Sequence, residues 1–415
     1  MQPCFGFGLW VWGLLLIMFA TISFGTFLIT VDITYFHSLF LPMNFTQIWQ
    51  ILFYVFCLVT LVQLFYYLFF FARLAVYKPK PRSVSQTHPV SVIICARDEA
   101  ANLAKNLPGS LVQQYRTTHE VIVVDDNSFD DSKYILEEYK KTYKQLQVVE
   151  LKQEAMLIPG KKFPLSIGIK TAKYEIVLLT DADCVPASEF WIEKMQDTFD
   201  DKTEIVLGYG AYHKKAGLLN KIVRWETFHT ALQYLSYALA GKPYMGVGRN
   251  LSYKKTIFYR HKGFSAHNNI PSGDDDLFIN MAATKTNTKI NIDKDAFTLS
   301  EPPKTWAGWI KQKNRHYSTG RFYKPLHKFL LGSYTFSHIL FYPLLAAAII
   351  FYNWQMALVV FGIRFFIQAF LLYPCMKKLN EQRMFPWLLF IDIWMFFYYL
   401  IFALAVFKRP KKGWK

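Results

Sequence analysis

Long apolar runs stand toward both ends of the chain, and the middle alternates short β-branched runs with polar helical stretches. Residues 7–31 and 48–72 are each long enough to cross a bilayer core of about 30 Å. Apolar segments near 333–352, 355–375 and 385–407 repeat the signal, so four or five spans are expected. Arg364 falls inside the second of these, where a charge is costly and must face protein or water, or snorkel. The loop between the first two spans has no Lys or Arg, whereas Arg73, Lys78, Lys80 and Arg82 follow the second. The positive-inside rule therefore places residues 78–330 in the cytoplasm. The expected organisation is two N-terminal spans in 1–77, a cytosolic domain in 78–330, and a membrane region of two to three helices in 331–415. Pro79, Pro81 and Ser83–Thr87 read as a linker.

In the middle, Val90–Cys95, Glu120–Val124, Gln147–Leu151, Glu175–Leu179 and Glu204–Leu207 read as strands separated by helices. That alternation predicts an α/β fold with a parallel sheet and helical crossovers. Such sheets bind ligands beyond the carboxyl ends of their strands. Ala96-Arg97-Asp98-Glu99 follows the first strand, Asp125-Asp126-Asn127-Ser128 the second, and Asp181-Ala182-Asp183 the fourth. Acids after strands also cap the next helix, a competing explanation for Asp98 and Glu99. Three acidic clusters on one sheet edge repel one another unless a cation joins them. Hard oxygen ligands suit Mg²⁺ or Mn²⁺ completed by substrate phosphates. The chain has no G-x-G-x-x-G or Walker A loop, which excludes the dehydrogenase and P-loop modes of nucleotide binding.

Composition narrows the class. The 415 residues are 53% hydrophobic, 18% aromatic and 19% charged. A soluble domain carries about 25% charged residues, so a wholly soluble enzyme, a disordered chain and a disulfide scaffold are excluded. The five cysteines show no metal-ligand spacing and read as small buried hydrophobes. The net charge of +17 suits anionic membrane lipid and an anionic substrate. No nucleic-acid-binding motif accompanies it.

The succession Val90-Ser91-Val92-Ile93-Ile94, Val124-Asp125-Asp126-Asn127-Ser128 and Thr180-Asp181-Ala182-Asp183 resembles the membrane-bound family 2 glycosyltransferases of GT-A (Rossmann-like) fold. These include synthases of cellulose, hyaluronan and poly-N-acetylglucosamine, and ceramide glucosyltransferase. Gly160-Lys161, Ser272-Gly273-Asp274-Asp275-Asp276 and Gln312-Lys313-Asn314-Arg315-His316 extend the resemblance across roughly residues 88–322. It implies metal-dependent, inverting transfer from a nucleotide-diphosphate sugar, a UDP-sugar, at the cytoplasmic face of a bacterial membrane. Asp126 would bind the base, helped by Ala96, Asp98, Glu99 and Lys161. Asp181 and Asp183 would hold the donor and its metal, Asp183 as the more direct ligand. Arg315 would grip the diphosphate, with Gln312 beside it. Asp275 would be the general base, with Asp274 and Asp276 as alternatives, since a run of three leaves the register open by one. A helix N-terminus also explains that run.

One departure lies on the acceptor side. His316 stands where the family pattern has Trp; it can stack on a sugar, donate a hydrogen bond, or serve packing alone. In the Gly-rich turn Met245–Asn250, the resemblance makes Gly248 and Asn250 acceptor-side residues. Leu218–Ala240 and Trp306–Tyr323 are aromatic helical stretches; core packing explains the first better, and a membrane interface suits the second. Few spans and the His316 departure favour one or a few sugars added to a lipid or lipid-linked glycan. A processive β-glycan synthase is the alternative within the class. A non-catalytic nucleotide-sugar sensor or assembly subunit is the alternative outside it. A transporter is hinted at only by Arg364 and Asp392.

Overall fold

The structure, a computed structural model, describes residues 44–79, 88–152 and 160–403. The expected span at 7–31 and most of the linker lie outside the described residues. Helix α1 (Phe45–Val76) is apolar and long enough to cross a membrane. It contains a π-helical turn at Tyr66–Phe71. The basic Arg73 lies in the last turn of α1 and Lys78 just beyond it.

A doubly covered sheet comes next. Strand β1 (Val90–Ala96) leads through α2 (Ala100–Leu111) to β2 (His119–Asp126). Then follow α3 (Ser132–Thr142), β3 (Leu146–Leu151), α4 (Lys162–Thr171) and β4 (Ile176–Asp181). These four strands are mutually parallel in the order β3-β2-β1-β4. β1 is buried along its whole length, which is why it reads as an unbroken apolar run. Alternate residues serve opposite faces. Ile93 and Cys95 join the core under α4, while Val92 and Ile94 join the one under α2.

The chain continues through β5 (Cys184–Pro186), α5 (Trp191–Gln196), β6 (Ile205–Leu207), β7 (Gly210–Tyr212) and α6 (Leu218–Leu239). β8 (Leu251–Lys254), α7 (Lys255–Arg260), α8 (Asp276–Ala282), β9 (Thr288–Ile290) and β10 (Thr298–Ser300) complete the domain. The fifth expected strand, β6, does not pair with β4. β8 enters between them, antiparallel to both, and makes the seven-stranded sheet mixed. Its register sets Leu251 opposite Leu179, so the residues just before β8 lie level with the end of β4. A second sheet, β5-β10-β7, pairs Ser300 with Cys184 on one side and Tyr212 on the other.

Helix α6 is buried around most of its circumference, with Trp225, Phe228, Leu232 and Leu235 in the core, so its aromatic pattern reflects packing rather than a membrane interface. Phe70 of α1 stacks on its Tyr237, ring centroids 4.3 Å apart. Helix α9 (Trp306–Tyr317) follows, then α10 (Pro325–Phe351), α11 (Trp354–Lys378) and α12 (Leu388–Ala403), the last entered through a 3₁₀ segment at Gln382–Trp387. The three long C-terminal helices are apolar enough to cross a membrane. α10 begins at Pro325, inside the residues expected to be soluble. Phe366 and Phe370 of α11 are 71% and 70% exposed, as lipid-facing side chains would be.

Arg364 does not snorkel. It is wholly buried and donates to Gln63, Tyr67, Gln368 and both oxygens of Asp392. Those five bonds use all five guanidinium N–H groups.

Candidate active site

The loops after β1 and β2 are knitted together. Asp98 adopts a left-handed conformation (φ 52°), and its Oδ1 accepts from the Phe129 amide at 2.8 Å. Its own amide donates to Ser128 Oγ at 3.0 Å, and that of Glu99 to Ser132 Oγ at 3.2 Å. Asp98 and Glu99 are therefore a clasp between loops more than helix caps; α2 has no side-chain cap bond from Glu99. Ala96 is 0% exposed, so its methyl group meets the core and not a ligand. Asp126 is buried at the end of β2 with Arg97 3.7 Å away.

Gly160 controls the approach of the next wall. It has φ 81°, and a Cβ there would stand 2.0 Å from the Pro271 carbonyl oxygen. The bare backbone presses the start of α4 against the segment that carries Asp274–Asp276. The buried Lys162 secures this contact, donating from Nζ to the carbonyls of His267 (2.6 Å) and Ile270 (2.7 Å). Lys161 then reaches Asp181 and pairs with its Oδ1. Burial alone would raise the Asp181 carboxyl, but Lys161, then Arg249 and Arg315, hold it below its ordinary value. Asp183 is raised, by burial and then by Asp181.

Asp181, Asp183 and Cys184 each offer a ligand atom within 4.8 Å of the others. Burial drives the Cys184 thiol well above its usual range, and it stands 2.8 Å from Ser300 Oγ, so it remains a neutral thiol. The two carboxylates are the hard donors, and their repulsion fits a Mg²⁺ or Mn²⁺ between them.

The three aspartates separate by role. Asp276 is buried, and its carboxylate accepts from Tyr323 Oη at 2.7 Å, from Thr319 Oγ1 and from the Leu277 amide. It ties α8 to the chain after α9, and its Oδ2 is filled by the two hydroxyls. Asp275 caps α8, its Oδ1 accepting from the Asp276 amide and its Oδ2 from the Gly248 amide, each at 2.7 Å. Burial, then Asp274 and Asp276, push its carboxyl up to about 8. Asp274 is half-buried beside it.

Helix α9 supplies the facing wall. Thr305 caps it, accepting from the Gly308 amide at 3.1 Å. Trp309 packs on Tyr398 and Phe402 of α12, with ring centroids 6.0 and 5.5 Å apart, while Trp306 and Ile310 stay exposed. Lys313 is buried in an ion pair with Glu226 of α6. Gln312 Nε2 donates to Tyr212 Oη at 3.2 Å. His316 is exposed to solvent on α9; the protein around it, then the cations Lys313, Arg315 and Arg249, lower its imidazole.

Two residues of the Gly-rich turn change meaning. Asn250 is 0% exposed and accepts from Trp191 Nε1 at 3.1 Å. Its Nδ2 donates to the carbonyls of Tyr209 (3.0 Å) and Ala296 (2.7 Å). It is a structural hub and cannot meet an acceptor. Between it and Gly248, Arg249 faces Asp181 and Asp183, a placement that sequence reasoning missed. The available signal was a basic residue flanked by glycine in a turn beside a strand end.

Residues 91–264 match the family model described as glycosyl transferase family 2. A β-monoglucosyldiacylglycerol synthase of Nostoc sp. is 34% identical over 101 residues, 24% of this chain and 21% of that protein. A poly-β-1,6-N-acetyl-D-glucosamine synthase of Staphylococcus epidermidis is 29% identical over 140 residues, 33% of this chain and 32% of that protein. The chain thus covers a fifth to a third of the length of these relatives. Among solved structures, a mannosyltransferase from Pyrobaculum calidifontis in complex with GDP-Man and Mn²⁺ covers 85% of this chain and 99% of its own, with a TM-score of 0.53 and 20% identity. The shared fold is the GT-A fold. The family match includes Asp126, Lys161, Asp181, Asp183 and Arg249 but ends before Asp274 and α9.

Proposed function

We propose that this chain, which carries a glycosyl transferase family 2 domain on a GT-A fold, is a membrane-integral inverting glycosyltransferase. It takes a sugar from a nucleotide-diphosphate sugar, a UDP-sugar, and adds it to a hydroxyl of a lipid or lipid-linked glycan. The domain works at the cytoplasmic face, where the basic residues after α1 and α11 would lie. The observation that carries the reading is Asp275. It is a fixed, half-buried carboxylate of raised pKa, held by the Gly248 amide in the turn whose next residue, Arg249, faces Asp181 and Asp183.

In the proposed reaction the acceptor hydroxyl oxygen bonds to the anomeric carbon as the bond from that carbon to the diphosphate breaks. The hydroxyl proton passes to Asp275, which must be ionised to accept it. Asp183 and Asp181 would hold Mg²⁺ or Mn²⁺, which would supply positive charge against the leaving diphosphate. Arg315 adds a second cation there, and Asp126 lies where the base would rest, at the end of β2. A single displacement inverts the anomeric centre, so an α-linked donor gives a β-linked product. The β-linkages named for the two curated relatives agree with that outcome. The buried side chains linking α1, α11 and α12 support transfer of one or a few sugars over a long extruded polymer.

The test is nucleotide release by the detergent-purified full chain, with a panel of UDP- and GDP-sugars, Mg²⁺ or Mn²⁺, and total lipid extract. Metal-dependent release from one donor, lost in Asp275→Asn, is expected. Donor binding without turnover under every acceptor condition would favour the sensor reading. Ladders of long product would favour the processive one.

A further inference from the structure

The proposed transfer leaves one cation of the site without a task. Arg249 stands two residues before Leu251, whose register with Leu179 carries it level with Asp181. Its surroundings are shaped for it. Gly210 leaves the lane open: a Cβ there would come within 3.2 Å of Arg249 Cβ and 3.3 Å of its Nε. Thr298 Oγ1 donates to the Arg249 carbonyl at 3.0 Å. The guanidinium lies over the Tyr212 ring, 4.5 Å from its centroid, and Gln312 holds that ring at its hydroxyl.

Asp181 and Asp183 face the guanidinium, but neither carboxylate touches it. Its hydrogen bond is a long one, Nη1 to Ser300 Oγ at 3.4 Å. Among the described residues no carboxylate comes within ion-pair distance of it. A planar cation backed by an aromatic face, with most of its five donors unspent, matches a phosphate or carboxylate in two-pronged geometry. The neighbouring residue says which molecule brings the anion. The Gly248 amide holds the Asp275 carboxylate, and that base meets the acceptor hydroxyl. The donor diphosphate already has Arg315 and the Asp181–Asp183 metal site.

We propose that Arg249 is the receptor for a negative group on the acceptor, a phosphate or carboxylate a few atoms from the attacking hydroxyl. This rests on the reading of Asp275 as the base. The acceptor is then an anionic headgroup that also carries hydroxyls, and not a neutral glyceride.

The test uses the full chain in phosphatidylcholine vesicles containing either dioleoylphosphatidylglycerol or dioleoylglycerol, with the donor identified by nucleotide release. Transfer to phosphatidylglycerol is expected to exceed transfer to the neutral glyceride. Arg249→Gln should raise KM for phosphatidylglycerol by about 10- to 100-fold, the worth of a charge-assisted hydrogen bond, and leave calorimetric donor affinity intact. Gly210→Ala, which displaces the guanidinium while keeping its charge, should give a smaller rise; it carries the test if Arg249→Gln melts early. Lipid retention is read separately by native mass spectrometry of Asp275→Asn. Enrichment of phosphatidylglycerol over phosphatidylcholine that disappears with Arg249→Gln supports the anion site even if no acceptor turns over. Weakened donor binding in Arg249→Gln, with acceptor KM unchanged, overturns the proposal and assigns Arg249 to the diphosphate. Equal KM for the two lipids, or no enrichment of the anionic one, overturns it as well.

Discussion

Glu226 and Lys313 form an ion pair in which each side chain is only 8% exposed. The pair joins the core helix α6 to α9 and sits two residues from Arg315. Removing one partner strands a buried charge, which costs about 3–5 kcal/mol. Glu226→Ala should therefore lower the melting temperature and raise donor KM, because α9 loses the anchor that aims Arg315. The double variant Glu226→Leu, Lys313→Met should regain the stability. Recovery of donor KM along with it would show that the pair does no more than hold the helix in place.

Asp275 sets the pH dependence. With its carboxyl at about 8, the ionised base accumulates as pH rises through that value, so kcat/KM should climb to a plateau above it. Stability has the opposite slope. A carboxyl raised above its unfolded value favours the fold below about pH 4, and that contribution is lost as pH rises toward 8. Asp275→Asn should cost about 10²- to 10⁴-fold in kcat, and should melt higher than the parent protein at pH 9. A variant that melts lower at pH 9 would contradict the raised carboxyl.

Gly160→Ala forces a methyl against the Pro271 carbonyl in a left-handed residue. The left-handed conformation alone costs about 1–2 kcal/mol, and the clash adds to it. The Lys161 loop should retreat from Asp181, weakening donor binding measured by calorimetry more than it slows transfer at saturating donor. Unchanged donor affinity would show that the loop tolerates the shift.

Asp183 is raised and Cys184 stays a thiol, so protons and metal compete at carboxyl oxygen rather than at sulfur. Chelation should abolish turnover, and metal affinity should increase with pH. Asp183→Ala should abolish metal-enhanced donor binding, whereas Cys184→Ser should leave it nearly unchanged. Loss of manganese binding, followed by electron paramagnetic resonance, in Cys184→Ser would overturn the oxygen-only ligand set.

The pair Arg364–Asp392 predicts a matching pattern inside the membrane region. Arg364→Met or Asp392→Leu alone should destabilise by about 3–5 kcal/mol, read as a lower melting temperature in detergent. The two together should lose less than either. Additive losses would mean the two groups act independently.

The long central strands were legible because β1, β2 and β4 are covered on both faces and become continuous apolar runs. β8 was not, because four residues following a turn carry too little pattern, and it joins the sheet antiparallel. β5, β7 and β10 are three residues each and leave almost no periodicity. The acids at strand ends were readable from position alone. Choosing among Asp274, Asp275 and Asp276 required the partners of Asp276, which come from 43 and 47 residues away. Arg249 was missed and Asn250 misread for one reason: in a turn, which polar side chain meets a ligand and which is a buried hub depends on the register of the strand that follows.

The five bonds of Arg364 also bear on how the chain is made. Asp392 lies 28 residues further along, so Arg364 leaves the ribosome first, without its counter-ion. A lone guanidinium is a poor passenger in hydrocarbon. α11 therefore gains most by waiting at the insertion machinery until α12 arrives, and the two enter as a hairpin. The final helix thus acts as an escort for its predecessor, and truncation before Asp392 should leave α11 outside the bilayer rather than a shorter bundle within it.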